Sequence, residues 1–325
     1  MNNTKKISAI LISSLLLVFV NFTNGQTKED AAAAYNRGVE LAATDLPKAI
    51  ESLIQAADIA AKTGADAADI QKLAEGQIPL LQYNFATSLY KEKKLDEAIT
   101  NFILAQDYAK KYNDNSTKSK ADDLLPKLFL AKGNSDLKEG KYPEAIASFD
   151  KAISYDPTFA KAFLSKGLVY KKQEKFDEMK AVMDMAIENG KITNDEKTVA
   201  SASKTIADEY IRLANNAFKK GTFAQVVTLM DESVKYVDNN VEAYYLYALA
   251  FNKQSKWDDA IKSAEKGLTL EENTPAKQAR FHYETGIAQA GKKDNGSACA
   301  SFKKAAVGPL AEQANYQIKT VLKCN

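Results

Sequence analysis

Residues 131–157 read A-K-G-N-S-D-L-K-E-G-K-Y-P-E-A-I-A-S-F-D-K-A-I-S-Y-D-P, and much of that pattern returns one period later. Gly133 comes back as Gly167, Tyr142 as Phe176, Glu144 as Glu178, Ala152 as Ala186 and Ile153 as Ile187, every pair 34 residues apart. Within one period the small residues fall where two helices would touch. Gly133 lies on a first helix. Ala145 and Ala152 lie on one face of a second, with Phe149 between them. Gly140 suits the left-handed residue that ends a helix, and Asp156-Pro157 ends the next, because a residue before proline avoids helical angles. Each period is therefore a helical hairpin. A single hairpin cannot bury its apolar face, whereas a stack of them can.

Ala145, then Phe149 four residues later, then Pro157 near the end of the period, resembles the tetratricopeptide repeat (TPR) family. Gly167-Leu168-Val169-Tyr170 is similar to that family's G-x-x-Y element. The next copy departs from the pattern, with Met179 in place of the small Ala and Met183 in place of Phe. Larger residues there are expected to widen the helix spacing. The resemblance implies an all-α, right-handed superhelical solenoid of about seven hairpins in one domain, 26–325. The hairpins are expected at about 30–63, 79–112, 126–159, 160–193, 207–240, 241–274 and 279–308. A capping helix over 309–323 carries Leu310, Ala314, Ile318 and Leu322 on one stripe.

The spacing between hairpins is uneven. Thirteen extra residues recur at 113–125 and 194–206, and a similar insert lies at 64–78. Loops of that length are uncommon in compact folds, so the inserts are expected to lengthen the first helix of the following hairpin. Asn194-Asp195 and Ser116 suit helix caps. The turn-like run Asn113-Asp114-Asn115-Ser116 favours a surface loop over 113–118.

Residues 1–25 read as a secretory leader. Lys5-Lys6 precedes an apolar run from Ile7 to Val20, too short to span a bilayer at roughly 20 residues, and Thr23-Asn24-Gly25 offers small residues for cleavage before Gln26. The alternative is an uncleaved anchor. The leader looks bacterial and points to the periplasm or the outside, with no membrane insertion after cleavage. The chain has 44 basic and 42 acidic residues. Without Lys5 and Lys6 the charges balance, which gives no electrostatic case for nucleic acid or an acidic membrane.

Little in the chain points to catalysis. The one histidine, His282, reads as a packed or surface imidazole. Phosphate-loop, dinucleotide, nucleophile-elbow and zinc-protease motifs are all missing, and too few Cys and His are present for a metal site built from them. No catalytic, cofactor or metal residue is assigned, and an enzyme with scattered carboxylates is the minor alternative. Met179, Met183 and Trp257 read as core. The only two cysteines, Cys299 and Cys324, fall near the end of a chain sent where disulfides persist. An antiparallel helix pair would bring them together, and two unrelated thiols are the alternative.

The TPR resemblance implies a protein partner held along a concave face lined by the first helix of each hairpin. The implied inward residues include Tyr83 and Tyr90 in the second hairpin, Leu130, Asn134 and Lys138 in the third, and Leu164, Leu168 and Lys172 in the fourth. The fifth adds Asp208, Ile211, Asn215, Phe218 and Lys219, and the sixth Glu242, Tyr245, Leu249, Asn252 and Lys253. Leu130 and Leu168 stand where a carboxylate-clamping TPR protein would have Lys and Asn. The expected function is a non-enzymatic interaction scaffold of the bacterial envelope. The alternative is a structural subunit that self-assembles or joins an envelope complex through its outer faces. For Tyr245, a seam between hairpins competes with an anchor for the partner.

Overall fold

Where each helix stops and the next begins follows a local rule that recurs down the chain. The computed structural model describes residues 26–324, and the expected leader, 1–25, lies outside the described residues. All regular structure among the described residues is helical. The pairs are α1 (Lys28–Leu41) and α2 (Leu46–Thr63), α3 (Ala68–Lys91) and α4 (Leu95–Lys111), and α5 (Asn115–Lys138) and α6 (Tyr142–Tyr155). They continue with α7 (Ala160–Lys172) and α8 (Phe176–Ile192), α9 (Glu196–Lys219) and α10 (Phe223–Tyr236), and α11 (Val241–Lys253) and α12 (Trp257–Leu270). The last pair is α13 (Pro275–Gly291) and α14 (Asn295–Ala305).

Eight of the breaks share one geometry. Lys93, Asn113, Gly140, Glu174, Asn194, Gly221, Ser255 and Lys293 adopt positive φ. The residue after each donates its N–H to the carbonyl five positions back, as Lys141 does to Asp136 at 2.8 Å and Lys256 to Phe251 at 2.9 Å. This satisfies helix-end carbonyls that would otherwise be orphaned. A β-carbon on Gly140 would meet nothing within 4 Å, so its φ of 76° is the only reason for glycine there. Gly140→Ala is expected to cost about 1 kcal/mol, and Gly140→Asn less, because asparagine visits the left-handed region more readily. Chemical denaturation of the three proteins checks this; equal stability would remove the conformational argument.

The inserts lengthen first helices. α3, α5 and α9 each run 24 residues, against 13 for α7 and α11. At 1.5 Å per residue, the difference is roughly 16 Å of helix. The loop expected at 113–118 is absent, because α5 starts at Asn115. Its cap is Asp114, whose carboxylate accepts from Thr117 N–H at 3.0 Å, and not Ser116. Asp195 caps α9 in the same way, accepting from Thr198 N–H at 3.2 Å. In both places a left-handed asparagine ends one helix and the next residue, an aspartate, starts another. The two inserts are one device used twice.

Packing gathers the chain into two units, residues up to Leu125 and residues from Pro126, so the division falls within α5. In the first unit, Leu53 of α2 lies over Gly38 of α1, where an added β-carbon would stand 2.8 Å away. Ile50, Leu53, Ile70 and Ile78 build that core. In the second unit, Phe149 of α6 fills the gap left by Gly133 of α5, and Phe302 of α14 that left by Gly286 of α13. Met183 of α8 does the same over Gly167, where an added β-carbon would stand 2.6 Å away, against 2.5 Å for Phe149 over Gly133. The close approach is kept and the expected widening is not seen at this contact. A flexible thioether can follow a gap shaped for a flat ring. Trp257 packs over Gly291, as a core residue would.

The C-terminal cap is not one helix. A 3-10 turn at Gly308–Leu310 leads into α15 (Ala311–Tyr316), and a π-helical turn at Gln317–Val321 follows. The expected stripe still points inward at its centre, where Ala314 and Ile318 are buried. The widened turn delivers Cys324 to Cys299, and the two are joined with a Cα–Cα distance of 5.8 Å.

Candidate functional site

α9 is amphipathic along its whole length, and one stripe of it faces no neighbouring helix. That stripe, with the link from α10 to α11, encloses a groove of about 1200 Å³ in the second unit. Its walls carry Ser203, Lys204, Asp208 and Ile211 from α9, Asn239 and Asn240 from the link, Glu242 from α11 and Arg280 from α13. Val199, Val237 and Val241 supply apolar surface. The side chain of Asn240 is occupied, since it caps α11 by accepting from Glu242 N–H at 3.1 Å. Lys204 pairs with Asp208 at 2.5 Å, one turn away on the same helix.

Arg280 anchors one end of the groove. Its guanidinium donates to Glu242 at 2.6 Å and to Glu271 at 2.8 Å. The same group lies over the Tyr245 ring at 4.8 Å and the Phe281 ring at 5.0 Å. Burial works against this charge, but the two carboxylates outweigh it and hold the guanidinium protonated. Arg280 thus ties α11, α12 and α13 together while showing an edge to the groove. Tyr245 sits in that tie. Its ring meets Phe281 edge-on at 5.8 Å, and burial, with Glu284 nearby, pushes its phenol up to about 12.

Of the residues assigned to a partner from the sequence, Ile211 lines this groove, together with the inward Asp208 and Glu242. The others lie elsewhere. Leu130 packs on the Phe149 cluster, and Leu164, Leu168 and Leu249 pack half-buried on the cluster around Met179 and Met183. Asn134 is half-buried on α5. Asn215 donates to the Ile211 carbonyl of its own helix at 3.0 Å. Phe218 meets Phe223 edge-on at 5.2 Å. In the first unit, Tyr83 meets Phe102 edge-on at 5.0 Å, and Tyr90 is 48% exposed.

Asn252 is the clearest departure from an open inward position. It is 8% exposed, and its amide donates both to the Glu284 carbonyl, at 3.0 Å, and to the Glu284 carboxylate, at 2.8 Å. Its own Oδ1 has no donor among the described residues. Burial raises the Glu284 carboxyl above its ordinary 4.5, with Asn252 and Lys253 pulling the other way. A carboxyl whose folded value is raised binds its proton more tightly in the folded state. Its stabilising contribution is complete below the ordinary value and is lost as pH rises through the folded one. Glu284→Gln keeps an acceptor for Asn252 and adds a donor that its orphaned oxygen can take. The variant is expected to be more stable by about 1 kcal/mol at neutral pH and to lose the fall in stability above pH 4.5. Denaturation of both proteins across that range is the check, and a variant weaker at neutral pH would overturn it. Neither Glu284 nor Arg280 was legible in the sequence. Each acquires its role from a partner on a different hairpin, 32 residues away in the case of Asn252 and Glu284.

His282 is half-buried, and burial followed by the Lys304 charge lowers its imidazole below the ordinary value. Among the described residues, no three His, Cys, Asp or Glu side chains gather as a metal site, and no helix is long and apolar enough to cross a membrane.

The glycine-over-ring hairpins now have a counterpart. A family profile described as TPR repeat matches residues 133–174, and one described as tetratricopeptide repeat matches residues 211–276. Over those residues the chain carries TPR repeats. No curated protein matches its sequence. Among solved structures, YrrB, titled a TPR protein with an unusual peptide-binding site, is 18% identical, over 65% of this chain and 94% of that one, with a TM-score of 0.35. MamA is 18% identical over 61% of this chain and 96% of its own, with a TM-score of 0.35. A TPR protein from Parabacteroides merdae is 18% identical over 91% of this chain and 100% of its own, with a TM-score of 0.31.

Proposed function

We propose that this protein is an exported, non-enzymatic scaffold that holds a segment of a partner protein against the inward faces of its first helices. The groove between α9, the link after α10 and α11 is the observation that carries the reading. It is large enough for several side chains, apolar along its walls, and rimmed by charges and amides that can fix the register of a peptide. Export rests on the leader-like residues 1–25 and agrees with a disulfide between the only two cysteines.

The test places a photo-crosslinking residue at Ile211 or Lys204, inside the groove, or at Glu188, exposed on α8. Export predicts a mature chain that starts near Gln26 in the envelope fraction, read by mass spectrometry. Groove binding predicts one crosslinked partner from Ile211 and Lys204 and none from Glu188. Equal crosslinking from all three positions would sink the groove, and an intact N-terminus would sink the cleaved leader.

Self-assembly is the second reading. It draws on Leu73 and Leu80 of α3, 53% and 43% exposed and on one face, with Gly76 between them and open space where its β-carbon would point. Light scattering of the purified protein tests this reading, because a monomer argues against self-assembly.

A further inference from the structure

Four consecutive first helices of the second unit end on an exposed lysine in one register. Lys138 follows Leu130 and Asn134 on α5, Lys172 follows Leu164 and Leu168 on α7, Lys219 follows Ile211 and Asn215 on α9, and Lys253 follows Tyr245 and Leu249 on α11. Spacings of four and eight keep each lysine near one stripe of its helix, which on α9 includes the groove-lining Ile211. None of the four takes part in an ion pair among the described residues, although lysines close by do. Lys141 pairs with Glu139 at 2.7 Å, and Lys204 pairs with Asp208. The helix dipole favours a lysine in the last turn, but it does not choose the face. The chain's charges balance over residues 26–325, yet this register carries four exposed lysines that none of the ion pairs among the described residues uses.

Resting on the scaffold reading above, we infer that this lysine row is the specificity element of the inward face, and that the partner segment is acidic, with apolar residues between its carboxylates. The residue one turn before each lysine is in turn Asn134, Leu168, Asn215 and Leu249, so amide and apolar positions alternate beside the charges. That alternation suits a peptide backbone and its apolar side chains. A nucleic acid or an anionic membrane fits less well, because the part-exposed Leu168 and Leu249 between the lysines offer apolar contacts that a run of phosphates does not use.

The test uses the mature chain and two fluorescently labelled peptides, one of alternating Glu and Leu and one of alternating Lys and Leu. Anisotropy should show the acidic peptide binding more tightly, with the preference shrinking at high salt. Replacing all four lysines by Gln should weaken it about tenfold, the combined effect of four exposed charge contacts, while replacement by Arg should restore it. The four side chains are exposed, and circular dichroism confirms that each variant folds. An acidic peptide that binds no better than the basic one overturns the inference, as does tighter, lysine-dependent binding to anionic vesicles or an oligonucleotide. Partner crosslinking through Ile211 that survives unchanged in the Gln variant also overturns it while leaving the scaffold intact. Loss of that crosslink from the wild-type chain would instead remove the scaffold reading.

Discussion

Phe149→Ala is expected to cost about 3–5 kcal/mol and to loosen the hairpin of α5 and α6 before the rest of the second unit. The ring is fully buried, and it occupies the space that Gly133 leaves on the facing helix. A β-carbon at Gly133 would stand 2.5 Å from Phe149 Cε1, a distance that forces the ring or the helix to move. Gly133→Ala alone should therefore destabilise by about 1–3 kcal/mol, although alanine is the better helix former by about 1 kcal/mol. The sign reverses once the ring is gone. In a Phe149→Ala background, Gly133→Ala meets no ring, and only the propensity gain remains, with some cavity filled. Residues in contact couple in this way, and a double-mutant cycle measures it. Hydrogen exchange resolved along the chain is the suitable readout, because a repeat array need not unfold in one step. A Gly133→Ala effect of the same sign and size in both backgrounds would refute the contact.

That contact was legible in the sequence because both of its residues belong to one hairpin, sixteen positions apart. The period of 34, the small residues and the helix-ending Gly140 all act within one repeat, where spacing maps directly onto a helical face. What stayed hidden lies between repeats. Asn252 occupies an inward position and reads as available to a partner, but Glu284 of the next hairpin covers it. Arg280 carries no motif, and its importance comes from Glu242, Glu271 and Tyr245 converging on it. Tyr245 read as anchor or seam, and the Phe281 ring and the Arg280 guanidinium give it the contacts of a seam residue. The loop expected at 113–118 failed for a different reason. The run from Asn113 reads as a turn, whereas Asn113 is a left-handed helix end and the very next residue, Asp114, caps the following helix.

Breaking the Cys299–Cys324 bond is expected to remove about 3.5 kcal/mol in the chain-entropy model, for a sequence separation of 25. The loss should be local. The segment after α14 is short and irregular, a 3-10 turn, six residues of α-helix and a π turn. Helices of that length do not hold themselves together in water. The segment is held by Ile318, which packs against Phe302 and Ala298 with Tyr283 and Leu322 around them, by the Cys324 N–H donating to the Ile318 carbonyl at 2.8 Å, and by the disulfide. An array needs its end covered, because the apolar face of α13 and α14 would otherwise meet water. In the Cys299→Ala/Cys324→Ala double variant, amides from 311 to 321 should exchange far faster, while those of α9 and α10 stay protected. Ile318→Ala should do part of the same with the disulfide intact, by about 2–4 kcal/mol. Thiol alkylation of the unreduced protein fixes the starting state, and two reactive thiols there would show the bond is not formed. If the double variant keeps wild-type protection over 311–321, apolar packing alone secures the cap and the disulfide adds nothing to it.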